Sequence, residues 1–121
     1  MKIILGHTSD GSKRLSDYRK NGFGRMMVHM KFTPYEDEIW GLDNGAFICW
    51  RQGKQFDEKK FMSMVDYSVN QYPPYLAILP DIVAGGNESL DFSLSWIDRL
   101  PPYNWYLAVQ DGMDSARLTV S

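Results

Sequence analysis

Short apolar runs alternate along this 121-residue chain with stretches whose apolar residues recur at helical spacing. Residues 2–5, Arg25 to Met30, Ile39 to Leu42, Tyr75 to Leu79 and Trp105 to Val109 read as strands. Phe61, Met64, Val65, Ser68, Val69 and Tyr72 form one apolar stripe, with Asp57 as its N-cap and Phe56 placed to pack on Phe61. Asn87 is expected to cap a further helix whose Leu90, Leu94 and Ile97 share a face, with Phe92 and Trp96 to the side. Pro73-Pro74 and Pro101-Pro102 stop these helices, because proline disfavours helical geometry in the residue before it. A short helix is also expected over residues 13–21. Strands that alternate with amphipathic helices build an α/β fold around a parallel sheet.

Three of the apolar runs end in an acid or amide: Asp43 after Ile39 to Leu42, Asp81 after Leu76 to Pro80, and Gln110 after Tyr106 to Val109. In a (β/α) barrel of the TIM type such residues gather at one mouth, where these barrels keep their chemistry. A full barrel of eight βα units takes about 250 residues and seldom fewer than about 200. The expectation is therefore a single incomplete (β/α) barrel domain over residues 1–121, about the first half to five strands.

Each of these residues also has a plainer explanation. Asn44-Gly45 after Asp43 is a strong hairpin signal, with Ala46 to Trp50 able to pair back as a strand, although a helix start at Asp57 soon interrupts it. Asp81 precedes Gly85-Gly86, a pair that can offer backbone N–H groups to an anion or simply make a βα turn. Gln110 can be a surface amide ahead of the ordinary turn pair Asp111-Gly112. Jointly the three complement a guanine-like base. A carboxylate accepts from an N–H and NH2 edge, an amide addresses a ring carbonyl, and a second carboxylate can move a proton. Two carboxylates at a barrel mouth equally suit glycoside hydrolysis.

Composition removes several alternatives. The one cysteine, Cys49, excludes an internal disulfide framework and reads as a buried packing residue, and with only His7 and His29 beside it no structural zinc spacing exists. No cofactor is called for. The apolar run at Met1 to Leu5 is too short for a signal peptide, and no segment reaches the roughly 18 apolar residues of a membrane span, so a cytoplasmic protein without a membrane partner is expected. Net charge is only −2, yet residues 1–31 hold seven basic side chains against two acidic ones. Such a cluster reads either as solvated surface or as a phosphate-facing patch.

Asp43-Asn-Gly-Ala-Phe47, Pro80-Asp-Ile-Val83 and Val109-Gln-Asp-Gly112, in this order, resemble the motifs of the tRNA-guanine transglycosylase (queuine tRNA-ribosyltransferase) superfamily. They are most similar to its phage and bacterial branch, which inserts 7-deazaguanines (deoxypurines) into DNA. The resemblance runs roughly from Ile3 to Met113 and takes in Trp50, the Gly53 to Phe56 turn and Trp96. It implies that Asp43 is catalytic and assists proton transfer to the departing or incoming base. It further implies that Asp81 and Gln110 bind the base, with Gly112 allowing close approach, and that Phe47 and Asn44 belong to the same site. The family's Ser and Gly are replaced by Asn44 and Ala46, its later-strand nucleophilic aspartate has no counterpart here, and its zinc subdomain is absent.

The resulting expectation is a transglycosylase-like protein that binds guanine or 7-deazaguanine for exchange at an N-glycosidic bond of tRNA or DNA. It would be inactive alone unless more chain supplies the nucleophile. The alternatives are a non-catalytic half-barrel that self-associates or pairs with a second chain, and a carbohydrate hydrolase using Asp43 and Asp81.

Overall fold

The five strands of the computed structural model pair in the order in which the chain makes them, and every pairing is parallel. The structure describes residues 3–5, 23–36 and 38–118. Strands β1 (Ile3–Leu5), β2 (Phe23–Met27), β3 (Trp40–Leu42), β4 (Leu76–Ile78) and β5 (Trp105–Tyr106) form one sheet. Among the described residues three α-helices accompany it: α1 (Ala46–Arg51), α2 (Glu58–Ser68) and α3 (Asn87–Leu94). Short 3₁₀ turns cover Ile97–Arg99 and Ser115–Leu118. The expected α/β class is thus observed. The expected helix over residues 13–21 lies outside the described residues.

Register explains which side of the sheet is covered. Met27, Leu42 and Ala77 are aligned across β2, β3 and β4, and Trp105 aligns with Ala77. These residues, with Trp40, meet Phe61, Met64 and Val65 of α2 and Trp96 beyond α3 in one buried cluster. The alternate residues Met26, Gly41, Leu76, Ile78 and Tyr106 point the other way, as the period of two requires. There Met26, Leu76 and Ile78 are half-buried and Tyr106 is exposed, so the second face carries no helix layer among the described residues.

Local chemistry sets the helix boundaries. The Asp57 carboxylate accepts from the Lys60 N–H at 3.0 Å, as expected of an N-cap, and Phe56 packs on Phe61 with ring centroids 5.7 Å apart. Several expectations need correction. Helix α2 ends at Ser68, leaving Val69 and Tyr72 exposed. Gly86, not Asn87, is the N-cap of α3, and the Asn87 side chain instead accepts from the Asp114 N–H at 2.7 Å. Leu94 and Ile97 are exposed, while Ser89, Leu90, Ser93 and Trp96 form the buried face. The helix stops at Leu94, so the 100° step no longer governs Ile97 and Trp96 turns inward instead.

The basic cluster also divides. Arg25 is buried and forms a two-point ion pair with Glu38, Nη2 to Oε1 being 2.8 Å, with its guanidinium 3.9 Å from the Phe32 ring centroid. It is a core group rather than a surface or phosphate-facing one. Lys31 is exposed and donates to Ser63, and the other five cations lie outside the described residues.

Candidate functional site

The three strand ends singled out by the sequence converge. Asp43 follows β3 directly, and its N–H extends the ladder by donating to the Met27 carbonyl at 2.9 Å. The next residues do not form the hairpin that Asn44-Gly45 suggested. Gly45 takes a left-handed conformation (φ 78°) and opens helix α1, which covers the stretch considered as a returning strand. Asn44 is buried and acts as a strut: its Oδ1 accepts from the Ala46 N–H, and its Nδ2 donates to the Leu79 carbonyl at 2.7 Å and to Asp81 Oδ1 at 2.5 Å.

Asp81 is gripped from both sides. Its second oxygen accepts from Gln110 Nε2 at 3.0 Å. The same Gln110 nitrogen reaches the Ile82 carbonyl and Ser89 Oγ, while Gln110 Oε1 accepts from the N–H groups of Gly85 (3.0 Å) and Gly86 (3.4 Å). The N–H groups of the Gly85-Gly86 pair are therefore directed at a side-chain amide rather than held open for an anion. Ser89 also receives the Ile82 N–H at 2.8 Å, and Ser93 donates to the Pro80 carbonyl, so the buried hydroxyls of α3 fix the segment that carries Asp81.

Burial pushes the Asp81 carboxyl above the ordinary 3.8, and the Asp43 charge adds to this. The donors from Asn44 and Gln110 oppose the rise without cancelling it. Asp43 is half-buried, and its Oδ1 accepts from the Asn44 N–H at 2.7 Å.

Asp43, Asn44, Phe47, Asp81 and Gln110 all line one cleft of about 620 Å³, together with apolar groups such as Ile48, Ile78 and Ala108. Such a space and such a mixture of apolar walls with a few convergent polar groups suit a small-molecule ligand. Phe47 is largely exposed at its rim and stands beside Trp50, ring centroids 5.7 Å apart. Gly112 is not among the lining residues. It lies against Gly86 instead, where a Cβ on Gly86 would come within 3.3 Å of the Gly112 carbonyl oxygen. Asp81 also borders a second cavity of about 480 Å³ that extends towards Trp50, Lys54 and Phe92.

His29 was not singled out from the sequence as part of this site. It follows β2 with φ 56°, and the Met30 N–H donates to the Val28 carbonyl across it at 2.6 Å, which makes a strained three-residue turn. Its imidazole sits directly on Gly45. A lone histidine between Val28 and Met30 gives no signal of this; only the turn reveals it. Cys49 is buried in α1 as expected.

Among the described residues no group of three or more His, Cys, Asp or Glu side chains is placed to hold a metal, and no helix is long and apolar enough to cross a membrane. Comparison of the chain with family models, curated proteins and solved structures finds no match.

Proposed function

We propose that this chain is the base-binding part of a transglycosylase-like (β/α) barrel of the TIM type, taking guanine or a 7-deazaguanine in the cleft at the ends of β3, β4 and β5. The observation that carries the reading is the Asp81 carboxyl held between Asn44 and Gln110, facing a cleft that it shares with Asp43. The strand order supports the barrel, since successive parallel strands advance in one direction with a helix layer on one face, as they do around a barrel wall.

In this reading Asp81 receives the N–H and NH2 edge of the base. A carboxylate that is costly to ionise in an empty cleft gains most from two incoming donors, which draw its pKa back down. Asn44 and Gln110 keep the carboxyl in place, and Phe47 covers the base from the rim. Asp43 is the proton carrier. When the bond from sugar C1′ to the base nitrogen breaks, the electron pair leaves with the base, which must gain a proton; the incoming base loses one. The nucleophile at C1′, whether the acceptor is tRNA or DNA, comes from a further stretch of polypeptide.

Isothermal titration with 7-cyano-7-deazaguanine tests this. Wild type should release binding heat that Asp81→Ala abolishes, and equal heats would remove Asp81 from the site. The hydrolase reading is favoured by one observation, a raised carboxyl paired with a second carboxylate. Release of reducing sugar from a glycan by the purified chain would put it first.

A further inference from the structure

We propose that His29 is a positioning residue that couples protonation to the shape of the cleft, holding the Asp43-Asn44-Gly45 turn in place while its imidazole is neutral and loosening it when charged. The inference concerns the turn itself and stands whether or not the cleft takes a purine.

The geometry is unusual in two respects. The His29 Nε2 atom is sealed from water and has no hydrogen-bond partner. It presses on Gly45 so closely that a Cβ there would lie 2.0 Å from Nε2, 2.5 Å from Cδ2 and 2.8 Å from Cε1. A neutral imidazole tolerates this, since one ring nitrogen carries no hydrogen. An imidazolium carries hydrogens on both nitrogens and would leave the one on Nε2 buried without an acceptor. The strained turn at His29 fixes the ring there, so relief must come from movement.

The charged groups around the ring act in both directions. Lys60 on α2 opposes protonation, while Asp57 before α2 and Asp43 after β3 favour it. Burial is the largest influence and lowers the histidine from its ordinary 6.5. A charged His29 is attracted by the carboxylates of Asp57 and Asp43. Drawing Asp43 towards it pulls on the carboxylate oxygen that receives the Asn44 N–H, and so on the residue that holds Asp81. The chain of contacts from His29 to Asp81 therefore passes through Gly45, Asp43 and Asn44.

An NMR titration of the wild-type chain from pH 8 to 5 tests the coupling. The His29 ring resonances and the Asn44 side-chain amide should share one inflection below pH 6.5, and that shared inflection, distinct from the one Asp81 imposes on the amide bonded to it, should vanish in His29→Asn, since asparagine accepts positive φ but does not titrate there. An Asn44 amide that moves with no inflection at the histidine midpoint, or that keeps the same inflection in the variant, would overturn the proposal. If the variant does not fold, the wild-type midpoints alone decide, because unequal values exclude coupling. Base titration at pH 8 reports separately on the function of the cleft.

Discussion

Asp81 shows how a polar group can be held at a cost. Its neighbours supply two hydrogen bonds, yet burial and the Asp43 charge still leave the ionised form less favourable than in water. A folded-state pKa above the unfolded value means that the native chain binds more protons between those two values. Stability contributed by this group is therefore present in full below pH 3.8 and falls as pH rises through the folded pKa. Asp81→Asn has no such loss. The stability difference between variant and wild type, read from urea unfolding at several pH values, should move in favour of the variant from about pH 3.8 upwards and level off once Asp81 is ionised. A difference that stays flat with pH would show that the carboxyl is not under this strain. The constant part of the difference includes a donor–donor contact with Asn44 or Gln110, according to which way the new amide turns, which is why the pH trend rather than the absolute value is diagnostic.

At the scale of elements, the sequence was most legible where one force acts alone. Stripe, cap and staple agreed on the start of α2 because Asp57, Phe56 and Phe61 act within one turn. Patterns that depend on distant partners were not legible. Nothing local says that Trp96 rather than Ile97 turns inward; the choice is made by the rings of Phe56, Phe61 and Phe92, all within about 6 Å of the indole by ring centroid. Asn44-Gly45 has the composition of a hairpin, but the Leu79 carbonyl and Asp81 outbid the strand pairing by giving the buried amide its partners. The sheet face bearing Met26, Leu76, Ile78 and Tyr106 is the remaining element without a layer among the described residues. Parallel strands are normally covered on both faces, so in the half-barrel reading this face would meet a second copy or another chain. Sedimentation velocity at tens of micromolar should show species above the monomer, whereas a monomer that melts in one cooperative step would remove that expectation.

For the molecule as a whole, strand order, the helix layer on one face and the three converging strand ends belong to one design: a parallel wall that delivers polar residues to one rim. The identities of the rim residues were legible in the sequence because each ends an apolar run. Their division of labour was not, since only coordinates show that Gln110 is committed to Asp81 and to the Gly85-Gly86 backbone. The central claim is that Asp81 is a receptor for two adjacent donors on a flat heterocycle. Guanine offers an N–H and an NH2 on that edge, and hypoxanthine lacks the NH2. Titration calorimetry with both bases should show guanine binding about tenfold or more tightly, as expected for a charged hydrogen bond worth roughly 1.5–3 kcal/mol, with the preference collapsing in Asp81→Asn. Equal affinities for the two bases in the wild-type chain would contradict the account.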